Sequence, residues 1–158
     1  MPVLINPQVP EADKEKVDAI FKGVEEHLGF VPDGLKLFAI SPTLLENFVG
    51  NVGYFMSHPE LSQDLLAMIR YLVSAKACGS FCTTFNAAIL TNKLNKTEEQ
   101  LQAAQADMNN APLTDAEIVL LKLALKSIED ADGVTQDDIQ KARDAGFSDR
   151  NIFDAVTI

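Results

Sequence analysis

The two cysteines of this 158-residue chain, Cys78 and Cys82, are separated by Gly79, Ser80 and Phe81. The glycine predicts that one helix ends and another begins within this segment, with Ser80 as the N-cap of the second helix. A redox dithiol usually has two intervening residues at a helix N-terminus, where free N–H groups and the helix dipole stabilise a thiolate. Cys82 would lie about two residues beyond that cap. The spacing leaves two interpretations open: a redox pair, or two small buried apolar side chains.

Other residue patterns give little support for a metal or hydrolytic site. The two histidines, His27 and His58, belong to distant predicted helix ends, so neither joins the cysteines as a zinc ligand or general base. We predict that both are surface or cap residues near helix C-termini. The segment 130–133 resembles the start of a calcium loop, but Thr135 and Lys141 occupy the positions of the central glycine and closing glutamate. It is predicted to be a polar turn, and no metal or cofactor is predicted.

Composition restricts the class of protein. The chain has 13 basic and 23 acidic residues and a formal net charge of −10, which disfavours binding to nucleic acids and to anionic membranes. No apolar run approaches the roughly 18 residues of a membrane span, and the N-terminus lacks the pattern of a secretion signal. We expect a soluble cytoplasmic protein with one domain over residues 1–158, in which cysteines are more often reactive than structural.

The elements around the cysteines are predicted to be helical throughout. Apolar residues recur at three- and four-residue steps, and no stretch alternates as a strand does. Three Thr-led capping boxes mark helix starts in the second half of the chain. The predicted all-α fold has about eight to nine helices and no sheet, after an extended arm over residues 1–10. The predicted helices are Glu11–His27, Gly34–Ala39 capped by Asp33, Pro42–Met56 capped by Ser41, Leu61–Ala77, Phe81–Thr91, and helices after Thr97, Thr114, Thr135 and Ser148.

Several short segments, taken in order, resemble the carboxymuconolactone decarboxylase family, in its alkylhydroperoxidase D-like, peroxidase-related branch. The resemblance extends over most of the chain. It implies a helical bundle with a core helical pair around the active site, assembly as trimers or hexamers, and no bound cofactor. The segments that carry it are Leu28-Gly29-Phe30-Val31-Pro32, Ser41-Pro42, Leu61-Ser62, Val73-Ser74-Ala75, Leu113-Thr114-Asp115-Ala116-Glu117 and Ala145-Gly146-Phe147-Ser148-Asp149.

The resemblance also implies roles for the cysteines. Peroxidatic members have a Glu, then Val-Ser-Ala, then Cys-x-x-Cys-x-x-x-His. Carried over residue by residue, the attacking cysteine is Cys82, and the resolving cysteine is Cys78, one residue before the family position, which Gly79 occupies. The His position holds Asn86 and the Glu position holds Ala67.

These departures weaken proton transfer at the implied site. Asn86 can donate or accept a hydrogen bond and orient a thiol or water, but an amide exchanges no proton near neutral pH. Ala67 supplies no base. Asp64, one turn earlier, could replace the glutamate, or it could be a surface carboxylate.

Three functional hypotheses follow. The first is a thiol oxidoreductase of the peroxidase-related type with a variant Cys-x-x-x-Cys site, acting in antioxidant defence on a peroxide or small organic substrate with a protein thiol as reductant. The second is a catalytically altered or inactive family member, a helical oligomer that binds a small molecule or a partner protein. The third, a lactone decarboxylase-type reaction, requires a base that nothing in the sequence positions.

Overall fold

The computed structural model describes residues 5–77 and 79–158, and within these ranges it contains nine α-helices and no strand. This confirms the predicted all-α class and the number of helices. The described residues of the predicted arm, 5–10, are not helical, and residues 1–4 lie outside the described part. The helices are α1 Lys14–Leu28, α2 Asp33–Leu37, α3 Pro42–Met56, α4 Gln63–Lys76, α5 Ser80–Asn92, α6 Glu98–Ala106, α7 Asp115–Glu129, α8 Gln136–Asp144 and α9 Asp149–Thr157, with short 3-10 turns at Glu11–Asp13, Phe38–Ile40, Met108–Asn110 and Ala131–Gly133.

None of the described helices combines the length and the apolar character that crossing a membrane requires. The helices fall into two compact units, one ending at Ser57 and one beginning at His58. The single domain over residues 1–158 stays a prediction.

The first unit is organised by the packing of α1 against α3. Its core consists of buried aliphatic side chains from both helices and from the segment between them. Outside this core, Lys16 of α1 forms an ion pair with Glu46 of α3, with 2.6 Å between Nζ and Oε2. Gly29 ends α1 with a φ of 83°, a left-handed conformation that favours glycine. The buried core residues are Val17, Leu35, Ala39 and Leu45.

The second unit is built around α4, which packs against α5 and α7, while α7 also contacts α8 and α9. Seven of the fourteen residues of α4 are buried, as its apolar sequence predicts. Leu65, Leu66 and Met68 have no exposed surface, and neither have Leu120 and Leu121 of α7. These buried side chains form the contact between α4 and α7 in the core of the second unit.

The helix caps show which local predictions hold. The capping boxes at Thr97, Thr114 and Thr135 are confirmed, with reciprocal hydrogen bonds in each. The predicted cap at Asp33 is wrong, because Pro32 is the N-cap and Asp33 lies inside α2. The Asp33 carboxylate accepts instead from Lys36 Nζ at 2.8 Å, an interaction that lowers the pKa of Asp33. Ser41 is the N-cap of α3, but its side chain makes no cap hydrogen bond.

His58 corrects a second prediction, because it is buried and not a surface residue. Its Nδ1 accepts hydrogen bonds from the backbone N–H groups of Glu60 and Leu61 at 3.2 and 2.9 Å. The proton therefore lies on Nε2, which donates to Asp154 Oδ2 of α9 at 3.0 Å. Asn151, one turn earlier on α9, donates to Glu60 at 2.6 Å. These bonds attach α9 to the turn that precedes α4.

The Glu117 carboxylate accepts hydrogen bonds at the starts of both α4 and α7, so the stability of the protein is expected to depend on pH. Ser62 caps α4 and donates to Glu117 Oε1 at 2.5 Å, while the Thr114 N–H and hydroxyl donate to Oε2 at 2.9 and 2.8 Å. Burial raises the pKa of Glu117, but the hydrogen bonds from Ser62 and Thr114 outweigh it and lower the pKa below its ordinary value of 4.5. The stability that the ionised Glu117 contributes is therefore full above pH 4.5 and is lost as the pH falls below it.

We expect Glu117→Gln to lower the free energy of unfolding by about 1 kcal/mol at pH 7, because the amide accepts these hydrogen bonds less strongly than a carboxylate does. Urea denaturation at pH 7 and at pH 3 measures this difference, which should shrink at the lower pH. The matched control is Glu26→Gln, at an exposed position of α1. A difference that stays the same at both pH values would contradict the assignment.

Candidate active site

The predicted nucleophile, Cys82, is the third residue of α5, and its side chain is exposed. The predicted resolving residue, Cys78, lies outside the described residues, so the geometry of the cysteine pair is not described. The position of Cys82 agrees with the expectation that it lies in the first turn of a helix.

The start of α5 differs from the prediction in one respect. Gly79, not Ser80, is the N-cap, and no side chain caps the helix. The first backbone hydrogen bond runs from the Thr83 N–H to the Gly79 carbonyl at 2.8 Å. The N–H groups of Ser80, Phe81 and Cys82 precede it and point out of the helix end, where they favour an anion.

Asn86 connects α5 to the end of α4. Its side chain is buried, with 7% exposure, and Nδ2 donates to the Cys82 carbonyl at 2.9 Å and to Ser74 Oγ at 3.4 Å. Ser74 in turn donates to the Arg70 carbonyl at 2.7 Å. The Asn86 amide therefore lies between the backbone carbonyl of Cys82 and the hydroxyl of Ser74, and it links the first turn of α5 to the end of α4.

The two positions considered for a general base do not supply one beside Cys82. Ala67 is fully buried. Asp64 is partly exposed and forms an ion pair with Lys96, with 2.7 Å between Oδ1 and Nζ. It lies ten residues before Ser74, which is about 15 Å along α4. Asp64 is therefore held at the opposite end of α4 from the cysteine segment.

An aromatic pair beside Cys82 was not predicted from the sequence. Phe81 and Phe85 are one helical turn apart, and their rings are stacked, with centroids 6.1 Å apart and planes inclined by 9°. Phe81 is 57% exposed. The i, i+4 spacing of Phe81 and Phe85 could have indicated from the sequence that the two rings are neighbours. It does not show that the Phe81 ring faces solvent. The pair offers an apolar surface next to the thiol.

A shallow cleft of about 440 Å³ lies on another face of α5, between α5 and α6. Tyr71, Thr84, Ala88 and Thr91 are among the residues that line it, whereas Cys82 and Asn86 are not. The thiol thus lies on an exposed helix end and not in this cleft.

Within the described ranges, no group of three or more His, Cys, Asp or Glu side chains is arranged to hold a metal ion. The segment 130–133 forms a 3-10 turn in which the Gly133 N–H donates to Asp130 Oδ1 at 3.1 Å. This is the polar turn expected from the sequence.

No family model and no curated protein sequence matches the chain, but solved structures do. The alkylhydroperoxidase AhpD core of an uncharacterized peroxidase-related protein from Ralstonia eutropha has a TM-score of 0.79 and 22% identity, over 94% of this chain and 80% of that chain. An uncharacterized peroxidase-related protein from Silicibacter sp. has a TM-score of 0.79 and 25% identity, over 97% and 84%. A cysteine-to-alanine variant of the debrominase Bmp8, in complex with 2,3,4-tribromopyrrole, has a TM-score of 0.77 and 19% identity, over 99% and 84%.

These neighbours establish the fold. The chain has the alkylhydroperoxidase D-like helical fold, and its resemblance to the peroxidase-related branch of that family is confirmed. The debrominase shows that a protein of this fold can take a small halogenated aromatic ligand.

Proposed function

We propose that the protein is a thiol-dependent peroxidase of the alkylhydroperoxidase D-like class, with Cys82 as the attacking residue. The observation that carries the proposal is an exposed cysteine in the first turn of an uncapped helix, next to the Ser74–Asn86 contact, in this fold. A role in antioxidant defence, a cytoplasmic location and a homo-oligomer, either a trimer or a hexamer, belong to the same proposal through the resemblance.

The proposed reduction of a hydroperoxide takes place in two steps, and a separate reaction then regenerates the thiols. The Cys82 thiolate attacks the outer oxygen of a hydroperoxide, the O–O bond breaks, and the products are a cysteine sulfenic acid and an alcohol that takes its proton from water. The Cys78 thiol then displaces the hydroxyl group, which leaves as water, and a Cys78–Cys82 disulfide forms. A protein dithiol returns both cysteines to thiols by exchange.

Asn86 supports this reaction by position and not by proton transfer. Its bond to the Cys82 carbonyl and its contact with Ser74 fix the first turn of α5 against α4. Because an amide moves no proton at neutral pH, Asn86 does not assist deprotonation of the thiol, and turnover is expected to be slow.

The direct test measures the thiols before and after one equivalent of an alkyl hydroperoxide. Loss of two thiols per chain, with a Cys78–Cys82 disulfide found by peptide mass spectrometry, supports the proposal. Unchanged thiols would exclude it and favour the hypothesis of a catalytically inactive helical oligomer that binds a small molecule or a partner protein.

Restoring the histidine of the family motif should accelerate the reaction. We expect Asn86→His to raise the rate of Cys82 oxidation by peroxide about tenfold or more, because an imidazole can take and return a proton. Stopped-flow measurement of peroxide consumption gives this rate. Thr84→His adds a histidine to the same region of α5 at an exposed position and should change nothing. Equal rates in both variants would argue against proton transfer from position 86.

A second candidate function is thiol-dependent removal of halide from a small aromatic molecule. Two observations favour it: the debrominase has the same fold, and the stacked Phe81 and Phe85 rings lie beside Cys82. In this reaction two thiols supply two electrons, the carbon–halogen bond becomes a carbon–hydrogen bond, and halide and a disulfide are released. Bromide release from 2,3,4-tribromopyrrole, measured with an ion electrode, separates this function from peroxide reduction.

A further inference from the structure

Helix α5 is uncharged along its whole length, although several of its side chains are exposed. No Asp, Glu, Lys or Arg occurs between positions 77 and 92, in a chain of which 23% is charged. Lys76, the last charged residue before this segment, forms an ion pair with Glu129. A molecule that approaches Cys82 along α5 therefore meets no charged side chain of this helix.

Phe81 is a large apolar side chain that faces solvent beside the thiol. It is 57% exposed, whereas Phe85 is half-buried, and the stacking of the two rings fixes the position of the exposed one. Removing apolar surface from water is favourable, and the Phe81 ring keeps more than half of its surface in water. This ring is thus available for contact with an apolar group of a bound molecule.

The two rings lie within reach of a molecule that reacts at Cys82. Phe85 follows Cys82 by three residues, so their Cβ atoms are about 5–6 Å apart on one side of the helix. The carbon atom of an organic hydroperoxide is two bonds away from the outer oxygen that a thiol attacks. Its organic group therefore begins close to the rings when that oxygen meets the Cys82 sulfur. A lasting protein contact over the rings would also cover the thiol, so a small substrate suits this surface better than a partner protein.

We propose that Phe81 and Phe85 determine the substrate specificity of Cys82 and favour an uncharged hydroperoxide that carries an aromatic group. This inference rests on the proposed function and names its substrate class. The rings exchange no atoms or electrons with the substrate. They bind its organic group through the offset or edge-to-face contacts that aromatic rings prefer. Hydrogen peroxide has no such group, so its reaction should not depend on the rings.

The first experiment compares the rates at which cumene hydroperoxide, tert-butyl hydroperoxide and hydrogen peroxide oxidise the thiols of the full chain. The rate of each peroxide with N-acetylcysteine is the reference, so that intrinsic differences in reactivity cancel. Relative to this reference, we expect cumene hydroperoxide to react about tenfold faster than hydrogen peroxide, with tert-butyl hydroperoxide between them. Phe81→Ala should remove most of this preference and change the rate with hydrogen peroxide by less than about twofold.

Two further variants separate recognition of the substrate from stability. Phe81→Tyr keeps an aromatic ring and should keep the preference. Phe153→Ala removes another exposed phenylalanine, from α9, and should change none of the three rates. Because the Phe81 ring is exposed, Phe81→Ala should change Tm by less than about 2 °C.

The second experiment measures binding without any reaction, on the full chain with Cys82→Ser. Saturation-transfer NMR compares 2-phenylpropan-2-ol, the alcohol formed from cumene hydroperoxide, with tert-butanol. We expect transfer to the phenyl protons of the aromatic alcohol and much less transfer to tert-butanol. Adding Phe81→Ala should reduce the phenyl signal about fivefold or more.

The proposal is overturned if the preference for cumene hydroperoxide persists in Phe81→Ala, or if hydrogen peroxide slows as much as cumene hydroperoxide does. A change in sedimentation coefficient in Phe81→Ala would assign the ring to a contact between protein chains and would also overturn it. If the aromatic alcohol binds through Phe81 but no peroxide oxidises the thiols, the aromatic site stands and the peroxidase function fails. If all three peroxides oxidise Cys82 without preference, the peroxidase function stands and this proposal fails.

Discussion

Cys82→Ser is expected to abolish peroxide consumption by the protein, so that the rate equals that of a control without protein. Cys82 lies exposed in the first turn of α5, and it is the residue proposed to attack the peroxide. Serine keeps the shape of the side chain, but its hydroxyl stays protonated at neutral pH and does not attack peroxide. The measurement follows consumption of an alkyl hydroperoxide in the presence of dithiothreitol, together with the number of thiols per chain.

Cys78→Ser is the matched control for this prediction. If Cys82 attacks first, this variant should still react once, and it should hold a sulfenic acid that dimedone traps at Cys82. Its consumption of peroxide should stop after one equivalent when no external thiol is present. Full activity in Cys82→Ser, or trapping of dimedone at Cys78 in that variant, would reverse the assignment of the two cysteines.

His58→Ala is expected to lower the free energy of unfolding by about 3 kcal/mol, or Tm by about 6–12 °C. The His58 side chain has no exposed surface, and it accepts two backbone N–H groups while it donates to the nearly buried carboxylate of Asp154. Removing the imidazole takes a donor from a carboxylate that solvent barely reaches and leaves two backbone donors without their acceptor. Urea and thermal denaturation measure the loss.

The control for this effect is His27→Ala, at an exposed position near the end of α1, which should change stability by less than about 0.5 kcal/mol. A double-mutant cycle with Asp154→Ala isolates the interaction between the two side chains, and we expect a coupling energy of about 1 kcal/mol or more. Additive single effects would show that His58 acts through its backbone contacts alone.

Structural features that depend only on residues close in sequence were predicted correctly. The Thr-led capping boxes at Thr97, Thr114 and Thr135 require only residues within one turn, and all three formed as expected. The end of α3 at Met56 and the position of Cys82 in a first helical turn have equally local causes. These segments are helical because of capping hydrogen bonds between residues close in sequence and because of apolar periodicity, and both can be recognised from the sequence.

The predictions that failed depend on contacts distant in sequence or on competition between neighbouring residues. His58 resembled a helix-end residue, because its partner Asp154 lies 96 positions later. Ser80 and Asp33 are residue types that often cap helices, but the N-cap residues of α5 and α2 are Gly79 and Pro32. The exposure of the Phe81 ring likewise follows from the placement of α5 against α4.

By itself, the sequence determined the all-α class, the helix starts and the segment in which the thiol chemistry was expected, because apolar periodicity and capping are properties of consecutive residues. Only the tertiary structure decided which groups surround that segment. It placed Asn86 against Ser74 and tied Asp64 to Lys96 at the other end of α4. Each of these outcomes depends on how α4 packs, since burial and ion pairing arise from the positions of several helices and not from the order of residues within one.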